Sequence, residues 1–475
     1  MGKFMENNQD LQRLDYLLDQ QKVAFNAQPF LSYEERISDL NTLKNMVLDN
    51  QSALIDAMKE DFGNRSADDS KIGDILTTVA GIHYAKKKLK KWMKPQRRHV
   101  GILFQPASAR VEYQPLGTIG IMVPWNYPLF LALGPLTTAL AAGNRAMIKM
   151  SEFTPKTTQV LSQLCAKYFN EDKVAIIDGD ASVAAKFSSL NFDHLFFTGS
   201  TNVGKLVMRA ASENLTPVTL ELGGKSPAII APDMSIKTAI ARLMLGKTLN
   251  SGQTCVAPDY IFVPRGKSGE VVEELRALFN QMFPTVDNNN DYTSVVNDGQ
   301  YNRLMGLLQD AKEKGAKITA LGQNPHCDKT RQLPLTAIEN VTEEMTVMQQ
   351  EIFGPLLPII EYETVDDAIA YIQRHERPLA LYIYSFDKQI QRHILANTHS
   401  GGVCINEAAF HVAVEDLPFG GVGHSGMGNY HGVEGFKTFS HAKAILSRGK
   451  ISLTSLLFPP YGKSLHNLVY KLFIR

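Results

Sequence analysis

The spacing of hydrophobic residues changes along the chain. Over residues 8–62 and 70–94 apolar side chains recur every three or four positions, which predicts helices, and Ser32 and Glu35 form a capping box at the start of one of them. From residue 110 onward, short apolar runs alternate with helical patterns. The runs predict strands at 117–123, 146–150, 174–178, 194–198 and 228–231. The patterns between them predict helices at about 130–142, 156–169 and 201–214.

A second series of the same kind follows. It predicts helices at 235–249, 269–282, 298–314 and 364–374, and strands at 259–264, 317–321, 356–361 and 380–384. Strands that alternate with helices are typical of parallel, doubly wound sheets, because each connection has to cross a face of the sheet. The sequence therefore predicts an α/β protein with two stacked domains of this kind.

Charge and composition narrow the function classes. The formal net charge of +1 argues against nucleic acid or an anionic membrane surface as the partner. We interpret the basic cluster Lys86–Lys94 as the solvated face of a helix whose Leu89, Trp92 and Met93 point inward, with an anion-binding patch as the alternative. No apolar run reaches the roughly 18 residues of a transmembrane helix, so we expect none.

Cysteines and histidines bear on redox state and metals. The four cysteines are widely spaced, which predicts a reducing compartment and no disulfide framework; they are Cys165, Cys255, Cys327 and Cys404. The N-terminus lacks an apolar signal segment, so the cytoplasm is the expected location. The twelve histidines form no metal-ligand motif, so no catalytic metal is expected.

Three glycine patterns resemble nucleotide-binding motifs, and we reject each. Gly199–Lys205 nearly matches a phosphate-binding loop, but Leu206 replaces the Ser or Thr that would hold Mg²⁺. Gly224-Lys225-Ser226 lacks the first glycine of that motif. Gly421–Gly426 fits G-x-G-x-x-G, but too little chain follows it for a dinucleotide fold.

Cys255 is a candidate nucleophile. It follows Gly252, Gln253 and Thr254, a polar segment that could leave the thiol partly exposed, as a reactive thiolate must be. A lone cysteine is more often a small core residue. From the residues alone, these two interpretations are about equally supported.

Two further side chains could take part in the same chemistry. Glu221 lies in an apolar stretch before two glycines, where a carboxylate is either paired with a cation or desolvated, and the desolvated state suits a general base. Asn126 lies between Pro124 and Pro128 at the end of a predicted strand, so its amide could donate to an oxyanion; a turn asparagine bonded to its own backbone is the alternative.

Taken together, several segments resemble the aldehyde dehydrogenase superfamily, in the order seen there. They are Trp125-Asn126-Tyr127-Pro128, Ile148–Pro155, Phe197–Ser200, Glu221–Pro227, Gly252–Cys255, Glu351–Pro355 and Leu417–Gly421. The resemblance covers about residues 30 to 450, and the C-terminal pattern 423–432 resembles the class 3 branch, in particular bacterial coniferyl aldehyde dehydrogenases.

The resemblance implies a fold and a domain division. It implies two stacked Rossmann-type domains with a small bridging β element. Residues 1–96 and 115–220 would form the NAD(P)-binding domain, and 221–415 the catalytic domain. Residues 97–114 and 416–475 would form bridging and oligomerisation arms with a C-terminal tail, in a homodimer.

The resemblance also implies the mechanism and its residues. Cys255 would carry the substrate as a thioester, Asn126 would hold the oxyanion, and Glu221 would activate water. NAD would be preferred and NADP tolerated, because a carboxylate at Glu152 would repel a 2′-phosphate while Lys149 lies nearby. The residues implied to hold the cofactor are Trp125, Lys149, Glu152, Gly199, Ser200, Glu351 and Phe353.

The last expectations concern the substrate, the C-terminal segment and the alternative functions of the protein. The substrate would be an apolar aldehyde, aromatic or medium- to long-chain, with Tyr127, Phe130, Phe410 and Phe458 as candidate tunnel residues. The amphipathic segment 464–475 would cap the fold or a partner subunit, with gating or membrane contact as the alternative. The alternative functions are a reductase of acyl thioesters or acyl phosphates, a cofactor-independent cysteine hydrolase, and a noncatalytic protein.

Overall fold

The structure is a computed structural model that describes residues 2–323, 329–452 and 454–474. Its helices include those predicted from the hydrophobic spacing, and the capping box of Ser32 and Glu35 begins the second. The α-helices are α1 (Gly2–Ala27), α2 (Tyr33–Asp49), α3 (Gln51–Phe62), α4 (Ala67–Ser70), α5 (Thr77–Trp92), α6 (Phe130–Ala142), α7 (Pro155–Tyr168), α8 (Ala181–Ser188), α9 (Thr201–Ser212), α10 (Ile236–Thr248), α11 (Ser268–Met282), α12 (Asp298–Glu313), α13 (Thr346–Gln349), α14 (Val365–Arg374), α15 (Lys388–Asn397), α16 (Gly432–Thr438) and α17 (Ser464–Phe473).

The strands are short and mostly buried. They are β1 (Gln96–Arg98), β2 (Ser108–Pro115), β3 (Thr118–Met122), β4 (Arg145–Lys149), β5 (Val174–Ile177), β6 (His194–Gly199), β7 (Val218–Leu222), β8 (Pro227–Ile230), β9 (Tyr260–Pro264), β10 (Lys317–Ala320), β11 (Thr336–Glu339), β12 (Leu356–Tyr362), β13 (Ala380–Tyr384), β14 (Gly402–Ile405), β15 (Gly426–Met427) and β16 (Ser440–Ser447). Strands such as β3 and β13 are buried at every position, as expected when helices cover both faces of a parallel sheet.

The first sheet has the order β15-β7-β6-β3-β4-β5. Strands β3 to β7 run parallel, and β15 pairs antiparallel with β7. The chain moves outward from β3 through β4 to β5 and then returns to β6 on the other side of β3. Ligands of doubly wound sheets bind where the strand order reverses in this way, at the carboxyl ends of the strands. The ends of β3 and β6 are therefore the expected cofactor position in this sheet.

The second sheet has the order β10-β11-β12-β9-β8-β13-β14. It is parallel except for β10, which pairs antiparallel with β11 at one edge. The two doubly wound sheets confirm the predicted α/β fold class.

The division into domains stays a prediction, and one strand lies across its expected boundary. Strand β7 crosses residue 220, since Val218–Leu222 pairs along β6, and so Glu221 belongs to the first sheet. Strand β15, from the segment assigned to the arms and tail, pairs with β7 in that same sheet. No strand is predicted at β7 because Thr219 and Glu221 interrupt the apolar run.

A third, antiparallel sheet joins the two expected arms. Its order is β1-β2-β16, and β2 pairs with β16 over eight residues, from Ser108–Ser447 to Pro115–Ser440. The two arms thus pair with each other within one chain. A role of these arms in a homodimer stays a prediction.

Three further predictions from the sequence can be compared with the structure: the basic helix face, the C-terminal helix and the absence of a membrane-spanning helix. Leu89 and Trp92 of α5 are buried and Met93 is partly buried, as expected for a solvated basic helix face. Helix α17 forms, but Leu468 and Leu472 are more than half exposed, so its apolar face does not cap the chain's own fold; a cap on a partner subunit stays a prediction. In the described part of the chain, no helix has the length and apolar character needed to cross a membrane.

Candidate active site

The segment before Cys255 reverses the chain sharply. After α10 ends at Thr248, Asn250, Ser251 and Gly252 have φ values of 50°, 56° and 73°, which lie in the left-handed region. A Cβ atom on Gly252 would lie 2.6 Å from the carbonyl oxygen of Gly354, so the turn needs glycine there. This strained turn brings the thiol between the two large sheets.

Cys255 is partly buried, and its thiol pKa is raised to about 12. Burial is the main cause, and the charges of Glu351 and Glu221 add to it. The backbone N–H groups of Cys255 and Val256 oppose the shift by donating to the sulfur. Burial and the two nearby carboxyl groups therefore both favour the protonated thiol.

Asn126 lies beside the nucleophile segment and is 2% exposed. Its side-chain Nδ2 donates to the backbone carbonyl oxygen of Gln253 at 3.2 Å. Its backbone carbonyl oxygen accepts from Asn250 Nδ2 at 3.0 Å. The residues that follow Asn126 and Gln253 also share a hydrogen bond, because the hydroxyl groups of Tyr127 and Thr254 lie 2.9 Å apart. A primary amide has two N–H groups, so one remains to meet a substrate oxygen.

A buried ion pair contacts the backbone of Asn126. Arg65 and Asp74 are both fully buried, with Nη2 and Oδ2 2.8 Å apart. Arg65 Nη1 also donates to the carbonyl oxygen of Asn126 at 2.6 Å, and Asp74 Oδ1 accepts from the N–H groups of Leu129 and Phe130. The pair thus holds the backbone at Asn126 and at Leu129 and Phe130, which follow it. Nothing in the sequence pattern indicated it, since Arg65 lies in the link between α3 and α4 and Asp74 in the helical turn after α4, both far from the motif.

Glu221 is 2% exposed, and both carboxylate oxygens lack a hydrogen-bond partner among the described residues. Burial raises its pKa well above the usual value of 4.5. Gly420 is tightly placed beside it, because a Cβ there would lie 3.1 Å from Glu221 Oε1. This is the desolvated state that suits a general base rather than the paired state.

Glu351 approaches the same region from the second sheet. Its carboxylate leaves no room for a side chain at Gly223, where a Cβ would lie 2.1 Å from Oε2. Burial and the charge of Asp259 raise its pKa to about 8, against an N–H donated by Gly224. Two residues on, Phe353 has a φ of 50° and contacts Trp125 edge-on, with ring centroids 5.1 Å apart.

Comparison with known proteins decides the family. Residues 7–445 match the profile described as the Aldehyde dehydrogenase family. A Pseudomonas aeruginosa protein named "Probable coniferyl aldehyde dehydrogenase" is 53% identical over 470 residues, which are 99% of this chain and 98% of that protein. The chain belongs to the aldehyde dehydrogenase family. The resemblance stated from the motifs is thereby confirmed.

More distant relatives agree. "Aldehyde dehydrogenase family 3 member B1" of Rattus norvegicus is 38% identical over 451 residues, covering 94% of each chain, in line with the class 3 resemblance. The solved structure of Staphylococcus aureus AldH in a substrate-bound state has a TM-score of 0.92 and 36% identity, covering 97% of this chain and 99% of that one. The protein is an aldehyde dehydrogenase, and members of this family use a nicotinamide cofactor.

Residues expected to hold the cofactor lie at the carboxyl ends of the first sheet. Gly199 ends β6, and Ser200 caps α9, its hydroxyl accepting from the N–H of Val203 at 3.4 Å. Lys149 ends β4, and its Nζ donates to the carbonyls of Met150 and Gly179, while Glu152 is exposed. A helix N-terminus suits phosphate oxygens and carboxylates suit ribose hydroxyls, so this donor set fits a dinucleotide.

The structure brings the predicted residues into two groups. Cys255, Asn126, Glu221 and Glu351 lie together, and Trp125 and Phe353 pack against each other beside them. Lys149, Glu152, Gly199 and Ser200 lie along the end of the first sheet. The residues that the sequence missed are those that support the first group; they are Arg65, Asp74, Asn250, Gln253 and Thr254. The last three lie within or next to the cysteine motif, where their polar character was a usable signal.

The other cysteines of the described chain resemble Cys255 in redox state and in the direction of their pKa shift. Cys165 and Cys404 are free thiols, like Cys255, and Cys327 lies outside the described residues. Burial raises the pKa of Cys165 to about 12 and also raises that of Cys404.

Proposed function

We propose that the enzyme oxidises apolar aldehydes to carboxylic acids through a thioester on Cys255, with NAD as the preferred cofactor. The aldehyde class is aromatic, such as coniferyl aldehyde, or medium- to long-chain aliphatic. The observation that carries this proposal is the convergence of Asn126, Glu221 and Cys255 from three distant segments. Their arrangement supplies an oxyanion donor, a base without a competing partner and a nucleophile.

The first half of the reaction uses Cys255 and Asn126. The thiolate forms a bond to the aldehyde carbon, and the carbonyl oxygen takes up negative charge. The free N–H of Asn126 and the backbone N–H of Cys255 donate to that oxygen. A bound nicotinamide would supply the acceptor for the hydride of this carbon, and loss of that hydride would leave a thioester on Cys255.

The second half uses Glu221. Its carboxylate takes a proton from water, the hydroxide attacks the thioester, and the C–S bond breaks to release the acid and the thiolate. Because the Glu221 oxygens make no hydrogen bond within the described residues, water does not compete with a protein donor for them. The same feature disfavours the reductase alternative, in which a water-activating base would destroy the acyl intermediate.

The hydrolase alternative lacks a partner of the right type. A cofactor-independent cysteine hydrolase needs a histidine base beside the thiol. The charged groups that raise the pKa of Cys255 are instead two carboxyls, Glu351 and Glu221.

NAD is favoured by the surroundings of Lys149 and Glu152. The Lys149 ammonium already donates to two carbonyl groups, at 2.6 and 2.7 Å, and is less available for a 2′-phosphate. Glu152 is exposed and would repel that phosphate. We expect kcat/KM to be higher with NAD, and Glu152→Ala to narrow the difference by improving the value with NADP. A clear NADP preference of the wild type would contradict this.

The substrate class rests on aromatic residues near the site and on the Pseudomonas relative. Tyr127 is buried beside Thr254 of the nucleophile segment and Phe130 is buried at the start of α6, whereas Phe410 and Phe458 are 51% and 55% exposed and do not line an enclosed tunnel within the chain. The apolar wall formed by the buried pair favours an aromatic or aliphatic aldehyde over a charged one.

NADH formation from a panel of aldehydes tests the proposal. We expect activity with apolar aldehydes in the wild type and none in Cys255→Ala. Cys404→Ala is the matched control, because Cys404 is also a partly buried free thiol and should be dispensable. Ester cleavage without NADH formation would favour the hydrolase instead. A homodimer in the cytoplasm is part of the proposal, and sedimentation of the purified enzyme tests the dimer.

A further inference from the structure

Glu351 lies in a segment without regular secondary structure. Residues 350–353, called the anchor segment below, begin the link from α13 to β12, and Phe353 has a left-handed φ of 50°. The backbone groups of such a segment are not paired within a helix or a sheet, so other groups have to bind them where they are buried. Ile352 is fully buried. The partners of the anchor segment therefore determine where the carboxylate of Glu351 lies.

Two basic side chains bind the carbonyl groups of the anchor segment. Arg303, on α12, donates from Nη1 to the carbonyl oxygen of Glu351 at 3.2 Å and from Nη2 to that of Ile352 at 2.5 Å. Lys225 donates from Nζ to the carbonyl oxygen of Gln350 at 3.0 Å. Three successive carbonyl oxygens thus accept hydrogen bonds from cations, which are about twice as strong as hydrogen bonds between neutral groups.

A buried acidic side chain binds the same segment. Asp259, just before β9, accepts the backbone N–H of Ile352 through Oδ2 at 2.8 Å, and its Oδ1 is paired with Nζ of Lys225. Lys225 Nζ also donates to the carbonyl oxygen of Val347 at 2.7 Å. The three N–H groups of this ammonium therefore all have protein partners. The lysine of the Gly224-Lys225-Ser226 pattern thus holds protein backbone instead of a phosphate.

The turn that carries Lys225 also touches the carboxylate of Glu351. A Cβ atom at Gly223 would lie 2.1 Å from Glu351 Oε2, and the N–H of Gly224 donates to the same carboxylate. This turn directly follows β7, which contains Glu221. Residue 351 is therefore held at its carboxylate and at its backbone by groups that are fixed relative to the catalytic base.

We propose that Lys225, Asp259 and Arg303 are positioning residues for the cofactor. They fix the anchor segment, which presents Glu351 to the nicotinamide ribose. The inference rests on the proposed function, in which a nicotinamide cofactor is bound with Glu351 among the residues that hold it. The three side chains act through the backbone of the anchor segment, so the loss of one weakens the binding of the nicotinamide half of the cofactor and leaves that of the adenosine half unchanged.

Calorimetric titration of the variants with NADH and with ADP tests this proposal. ADP contains the adenosine and both phosphates, expected at Lys149 and Ser200, but lacks the nicotinamide ribose. Arg303→Met should weaken NADH binding by about tenfold or more, the effect of losing hydrogen bonds from a charged group, without changing the Kd of ADP. Arg303→Lys, which keeps a cationic donor, should recover part of the NADH affinity. Arg276→Met is the matched control, because Arg276 on α11 pairs with the exposed Glu273.

The results distinguish positioning from a general structural role. Unchanged NADH binding in folded Arg303→Met, or an equal loss for NADH and ADP, would overturn the proposal. A wild type that binds no NADH would contradict the proposed function instead. If melting curves show that Arg303→Met does not fold, Asp259→Asn gives the same comparison. Asparagine keeps an oxygen for the N–H of Ile352 but removes the charge that pairs with Lys225.

Discussion

The surroundings of Asn126 and of Glu221 differ in how completely their polar atoms are paired. Asn126 donates to Gln253, and its carbonyl accepts from both Arg65 and Asn250. Glu221 is equally buried, yet neither carboxylate oxygen has a partner among the described residues. Asn126 is held by several hydrogen bonds, although its Oδ1 has no partner among the described residues, whereas the carboxylate of Glu221 is enclosed without any.

The difference matches the two roles. An oxyanion donor acts by being in place before charge develops, so rigidity benefits it. A general base has to accept a proton, and hydrogen bonds from protein donors would lower its pKa and occupy its lone pairs. A carboxylate left unpaired is costly for stability, which is a common feature of functional sites.

The largest expected effect concerns Glu221. Glu221→Gln should lower steady-state NADH formation by about 10²–10⁴, because water loses its base, while a first burst of about one NADH per active site remains. Rapid-mixing kinetics measures both. Glu339→Gln, at a buried carboxylate in the second sheet, is the control and should keep normal turnover. Loss of the burst along with the turnover would place Glu221 in the first half-reaction.

The next effect concerns the support of Asn126. Arg65→Met leaves Asp74 buried and unpaired, which should lower the free energy of unfolding by about 3–5 kcal/mol. Adding Asp74→Asn should restore part of the stability but not the rate, because Asn126 still lacks the donor from Arg65. Denaturant unfolding and burst rates together check this. Full recovery of the burst in the double variant would reduce the pair to a purely structural role.

A somewhat smaller effect is expected at Asn126 itself. Asn126→Ala should slow the burst of NADH by about 10²–10³, the usual loss for one oxyanion donor. The rate at which iodoacetamide alkylates Cys255 should change little, because that reaction forms no oxyanion. An unchanged burst would contradict the assigned role.

The smallest effect links Glu221 to stability. Its folded pKa is raised above the unfolded value of 4.5, so above that pH the folded state keeps a proton that the unfolded chain releases, and rising pH destabilises the fold. Glu221→Gln removes this cost, and its stability gain over the wild type should grow by up to about 1.4 kcal/mol per pH unit above the unfolded pKa. Unfolding measured at about pH 5 and about pH 8 tests the trend; a gain independent of pH would mean that Glu221 is paired after all.

Much of the fold could be predicted because apolar spacing is a local property. The strand at 380–384 agrees with β13 at both ends, and the helix at 235–249 agrees with α10 to within one residue. Strand β7 was missed because Thr219 and Glu221 are polar, although pairing with β6 and β15 buries them. Burial by neighbours distant in the chain does not appear in a local pattern.

The sequence by itself determined which residue types could react, since the motifs around Cys255, Glu221 and Asn126 mark a nucleophile, a base and a donor. It left open whether Cys255 was core or nucleophile and whether Glu221 was paired. Only the tertiary structure decided how deeply both groups are buried and that the Glu221 oxygens have no partner among the described residues, because solvation and hydrogen bonding depend on the groups that surround a side chain in space. The Arg65–Asp74 pair meets the backbone of Asn126 only once distant segments pack together.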